Sequence, residues 1–133
     1  MIRELIDTGD MLVVIDSGAA VAEMHASGMK RLEFQDRWAM LESDEWHIHL
    51  ELDAVDGVQF VEAVDRFHEG IPKLYYVRLS DADDRTLLRF YFPNPWLDEQ
   101  ERPAEFQPEK VRLFEEIRDR HIGQAGIVFV TRQ

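Results

Sequence analysis

The sequence predicts an α+β fold, an antiparallel β-sheet domain with a short N-terminal helix and a C-terminal helix. Three features carry that expectation. Trp46, Ile48, Leu50 and Leu52 alternate with His47, His49, Glu51 and Asp53, the two-residue period of a strand with one wet face. Residues 74–80 and 86–92 are apolar and aromatic runs flanking the acidic turn Asp81-Ala82-Asp83-Asp84-Arg85, the pattern of a hairpin. Val111, Phe114, Ile117 and His121 then recur at helical spacing behind Pro108, which suits the first turn of a helix because its missing donor costs nothing there.

The remaining elements follow in chain order. Ile2, Leu5 and Ile6 are spaced as one face of a short helix that would stop at Gly9. Met11 to Ile15 is a short β-branched apolar run ending at Asp16-Ser17-Gly18, so a buried strand entering a turn is expected. Ala19 to Ala26 is ambiguous: its alanines favour helix, and its length between two glycines favours a strand. Between Lys30 and Leu41, Leu32, Phe34, Trp38 and Met40 alternate with polar residues as in a strand with one wet face, and Ser43-Asp44-Glu45 turns the chain. Asp56-Gly57 makes a tight turn, and Val58, Phe60 and Glu62 alternate with Gln59, Val61 and Ala63 in another strand. Pro93-Asn94-Pro95 must end the strand before it, because proline cannot donate to a ladder. Trp96 to Gln107 reads as a polar loop, and residues 126–130 as a last apolar strand or a packed tail.

Length and composition restrict the function classes. A chain of 133 residues has the size of a single domain, residues 1–133, and 45% hydrophobic content supplies a core. The net charge of −12 repels phosphate backbones and anionic lipid, so neither nucleic acid nor membrane is an expected partner. No apolar run approaches the roughly 20 residues of a membrane span. Without cysteine there is no disulfide and no thiol chemistry, and the N-terminus lacks the apolar stretch of a signal peptide, which points to the cytoplasm.

The chemistry-bearing residues are few. His47 and His49 project from one face of their strand, and Glu51 continues the line. Imidazole and carboxylate suit zinc or iron, so a metal-dependent enzyme built on His47, His49 and Glu51 is one reading, and a solvated polar strand face is another. His25, His68 and His121 stand beside acidic or small residues, and His121 falls in a last helical turn, where a cation is favoured. Tyr75, Tyr76, Phe90, Tyr91, Phe92 and Trp96 could line a flat ligand's pocket, although strand alternation lets at most half of the strand rings share one side. The acidic turn at residues 81–85 lacks the spacing of a calcium loop. No Gly-rich phosphate loop, serine elbow or cysteine nucleophile is present, and no residue set marks out an enzyme.

The succession Val14-Ile15-Asp16-Ser17-Gly18, a short strand to Gly28, and Trp46-His47-Ile48-His49-Leu50 resembles the repeated half-domain of bacterial haem-utilisation (haem-iron utilisation) proteins. There an Ile-His-Ser/Thr-Gly turn precedes a Phe-Asn-Leu-His-Leu-Arg strand. The hairpin from Val77-Arg78-Leu79-Ser80-Asp81 to Arg89-Phe90-Tyr91-Phe92 is similar to that family's later hairpin, and Pro108 to His121 to its closing helix. The resemblance spans about residues 12–121. It implies haem, or a related small flat apolar ligand, as cofactor, with His49 carried over as the contact and His47 beside it. It implies a homodimer as well, because the larger members hold two such halves in one chain. Asp16 stands where the family turn has histidine, Glu51 where it has arginine, and Glu62-Ala63-Val64-Asp65 where it has a basic stretch. Those replacements support an alternative in which the chain is a non-catalytic dimeric scaffold that has the fold and no haem.

Overall fold

A computed structural model describes residues 1–8 and 10–133; Gly9, the expected stop of the first helix, lies outside them. The chain forms α1 (Ile2–Asp7), β1 (Leu12–Asp16), β2 (Val21–His25), β3 (Met29–Gln35), β4 (Trp38–Ser43), β5 (His47–Glu51), β6 (Gly57–Val64), β7 (Lys73–Ser80), β8 (Thr86–Tyr91), α2 (Pro108–His121) and β9 (Ile127–Arg132). Six strands make one sheet in the order β2-β1-β8-β7-β6-β9, and β3-β4-β5 make a second. The architecture is α+β, as the sequence predicts.

Three local outcomes differ from the expectation or complete it. The ambiguous segment after Gly18 is the edge strand β2, because its residues pair Val13↔Met24 and Ile15↔Ala22 with β1 and gain a ladder that a two-turn helix would lack. The stretch from Lys30 to Leu41 is two strands. Gln35 pairs with Trp38, so Asp36 and Arg37 form the turn, with Asp36 at φ +53°, a region aspartate tolerates better than most residues. Finally, β9 joins the sheet parallel to β6, with Phe60↔Phe129 in register, and is the parallel pair in an otherwise antiparallel sheet.

Register sorts the large sheet's side chains into two faces. Val13, Phe90, Val77, Phe60 and Phe129 lie on one row across β1, β8, β7, β6 and β9. That face is covered by α1, α2 and the small sheet, and Leu5, Ala39, Leu41, Ile48, Leu50 and Phe114 join it in one continuous core. Phe114 is the hub, with ring centroids 5.1 Å from Tyr75 and from Phe92, 6.0 Å from Phe60 and 6.3 Å from Phe129. The aromatic run of the hairpin therefore divides as alternation requires: Tyr75, Phe90 and Phe92 face the core, and Tyr76 and Tyr91 the other side.

The opposite face carries the row Leu12-Tyr91-Tyr76-Val61-Val130, and next to it Val14-Arg89-Arg78-Gln59-Val128. Arg78 is buried there. It donates to Thr86 Oγ1 at 2.7 Å, Gln59 Oε1 at 2.9 Å and Asp84 Oδ1 at 2.8 Å, and also to the Asp84 carbonyl. One guanidinium thus ties the acidic turn of residues 81–85 to the sheet, which satisfies a charge that would otherwise be costly to bury. Asp81 accepts from the amides of Asp83 and Arg85, so the turn's carboxylates hold the turn itself.

A side chain at Gly57 would press on two neighbouring side-chain ends, which would have to shift. A Cβ there would sit 2.7 Å from Gln59 Nε2 and 2.9 Å from Ser80 Oγ, inside van der Waals contact.

Candidate functional site

Strand β5 forms because its apolar residues alternate with polar ones against a core that accepts Ile48 and Leu50 and leaves His47 and His49 exposed. Its hairpin turn is fixed by Ser43, whose hydroxyl accepts from the amides of Glu45 and Trp46. The bonds Ser43 N–H to Trp46 carbonyl and Leu52 N–H to Arg37 carbonyl set the phase of the ladder. Ile48 and Leu50 then exchange bonds with β4, whereas the peptide groups of His47, His49 and Glu51 point out from the open edge.

A cleft of about 290 Å³ runs along that edge, between the two sheets. Its walls are Ile15 of β1, Leu87 and Leu88 of β8, Ala54, Trp38 and the β5 backbone, with His49 and Glu51 at the rim. The volume lies at the low end for small-molecule sites, so a larger planar ligand would rest against the opening with one edge inside. Arg37 lies beside two residues of the cleft, 3.3 Å from Glu51 and over the Trp38 ring at 5.8 Å.

The residues singled out from the sequence are partly brought together. His49 lines the cleft; His47 is its neighbour, with ring centroids 5.2 Å apart and planes inclined at 37°, but does not line it. Glu51 reaches the rim and is drawn to Arg37 rather than to the imidazoles. Among the described residues, no group of three or more His, Asp or Glu side chains is disposed to hold a metal ion. His68 caps its own loop through Asp65, 2.8 Å away, and His25 is exposed on an edge strand. Imidazole and apolar walls at one opening fit a flat apolar ligand with a metal centre, and Arg37 fits an anionic substituent on it.

A second polar cluster joins the two helices. Glu4 of α1 accepts from Arg120 and lies 2.5 Å from His121 Nε2, beside an open depression of about 500 Å³ lined by Arg3, Thr8, Leu113 and Ile117. The His121 contact, with Arg120, holds the Glu4 carboxyl below the usual range, against the opposing effect of burial. Sequence reading places His121 at a helix end and misses this contact, because nothing local signals a partner at the far end of the chain.

Among the described residues, no helix is long and apolar enough to cross a membrane. No curated protein matches the sequence. Among solved structures, the chain is similar to a protein from Agrobacterium tumefaciens, with TM-score 0.65 and 21% identity over 88% of this chain and 62% of that one. It is similar to the heme-binding protein ChuX, with TM-score 0.63 and 10% identity over 86% of this chain and 66% of that one. It is also similar to apo-PhuS, a heme-binding protein from Pseudomonas aeruginosa, with TM-score 0.62 and 13% identity over 86% of this chain and 32% of that one. The chain thus spans less than two thirds of each of these proteins, and identities this low show a shared fold. A protein-family model matches residues 1–117, most of the chain, and the chain belongs to that family.

Proposed function

We propose that the chain binds haem, or a related flat apolar ligand, against the cleft beside β5, with His49 as the contact and His47 flanking it. One observation carries the reading: an exposed imidazole stands at the mouth of a cleft whose walls are Ile15, Leu87, Leu88 and Trp38. Likeness to the heme-binding proteins ChuX and PhuS supports it. When bound, haem would supply an iron that accepts a neutral imidazole nitrogen. The chain's own residues would seat the macrocycle edge on the apolar walls and set Arg37 toward its anionic side. The role is one of holding or transfer.

The test is titration of the purified chain with hemin, followed in the Soret region. A shift that is lost in His49→Ala and retained in His25→Ala and His68→Ala is expected. No shift, or the same shift in the His47→Ala/His49→Ala double variant, would remove the ligand or the site.

A second reading, a dimeric scaffold, is favoured by the outer face of the large sheet. It exposes Val21 and Val128 on its two edge strands, while Val61 and Tyr76 between them are buried. The dimer and the ligand are compatible, because the cleft opens between the sheets. Light scattering reads the state directly: Val21→Glu/Val128→Glu should convert a dimer to a monomer, and a monomeric parent would end this reading.

A further inference from the structure

We propose that His47 and His49 together form an open site for a divalent cation of the zinc class, held by two imidazoles with water completing its shell. This assignment uses both rings and none of the cleft walls; it shares His49 with the haem reading, so zinc and hemin would compete for that ring, and the hemin-free chain separates the two. The geometry points to it. With a zinc–nitrogen bond of about 2.05 Å and a ring centre about 1.15 Å behind its nitrogen, two imidazoles at a tetrahedral angle have centroids about 5.2 Å apart, and at a right angle about 4.5 Å. The observed separation is 5.2 Å. That separation lets both rings reach one tetrahedral ion once a nitrogen of each turns toward it.

The backbone explains why this spacing is held. Both residues face Met40 and Glu42 across β4 at the ladder's closely spaced, non-hydrogen-bonded positions. Both are exposed, so an incoming aquo ion reaches them without displacing core. The flanking carboxylates are engaged elsewhere: Glu42 approaches Arg31 at 4.0 Å, and Glu51 approaches Arg37 at 3.3 Å. The imidazoles are therefore the only protein ligands, and the remaining positions stay open to water or to a ligand atom from solution.

Calorimetric titration of the hemin-free chain with ZnCl2 tests the proposal. One zinc per chain is expected, with binding at least about tenfold weaker in His47→Gln and in His49→Gln, and lost in the double variant. Glu42→Gln and Glu51→Gln should bind within about twofold of the parent. These side chains lie on the surface, and equal urea midpoints establish that the variants are folded. Three results would overturn the proposal: no zinc binding; unchanged binding in the double variant, which would move the ion to Asp65 and His68 or to Glu4 and His121; and loss of binding in Glu51→Gln, which would make the site a three-ligand one.

Discussion

Truncating Phe114 removes the ring on which α2, the end of β8 and the β6–β9 pair converge. It is 1% exposed and lies within 6.3 Å, centroid to centroid, of Phe60, Tyr75, Phe92 and Phe129. Phe114→Ala loses the transfer free energy of the ring and leaves a cavity, together about 3–5 kcal/mol. Phe114→Leu keeps most of the apolar burial and loses mainly the ring–ring terms, each about 0.5–1.5 kcal/mol, for a cost of about 1–2 kcal/mol after partial repacking. A domain of ordinary stability has about 5–15 kcal/mol in all, so the alanine variant should remain folded but marginal. In urea, with a slope of about 2 kcal/mol/M, the midpoint should fall by about 2 M for alanine and by less than about 1 M for leucine. A drop below about 0.5 M for alanine, or equal drops for the two variants, would show that helix α2 is not held through this ring.

Three further outcomes follow from the ionisable groups. Arg78 holds the Asp84 carboxyl below its ordinary range through a hydrogen bond and charge attraction, so its contribution is present above about pH 4 and is lost as acid titrates the folded group. Asp84→Asn should flatten the urea midpoint against pH below about 4, and an unchanged acid limb would refute the link. Glu4 obeys the same sign: Glu4→Gln should flatten the loss of α1 docking as pH falls through about 4, read by hydrogen exchange at Leu5 and Ile6. Burial pushes the Tyr75 phenol up to about 12, with Glu62 adding to the effect, and burial also raises Tyr91. A raised phenol stabilises the fold below pH 10 and ceases to do so as the pH climbs through its folded value. Ultraviolet titration should show a late-ionising tyrosine that disappears in Tyr75→Phe.

How much of this was legible in the sequence depends on distance along the chain. β5 could be read because alternation between a core and solvent is a property of neighbouring residues, and Ile48 and Leu50 are buried between exposed His47 and His49 as that period requires. The boundaries of α2 follow for the same reason, from Pro108 and the helical spacing of Phe114 and Ile117. The turn at Asp36 was hidden because it uses aspartate, not glycine, in a left-handed conformation. The parallel seat of β9 beside β6 was hidden because Val58 and Ile127 meet through the fold, not through local pattern. At the site, alternation places both imidazoles on one face, yet only tertiary structure brings Ile15 and Leu87 to His49 and leaves His47 outside the cleft.

The cleft also has a mechanical character. Its far wall belongs to the six-stranded sheet and its rim to the three-stranded one, and among the described residues no strand pairing joins the two sheets. Side-chain packing of Ala39, Leu41, Ile48 and Leu50 is what keeps them together. The width of the cleft beside His49 is thus set by that packing, so substitutions at these four positions, not changes within either ladder, should alter how a ligand seats there.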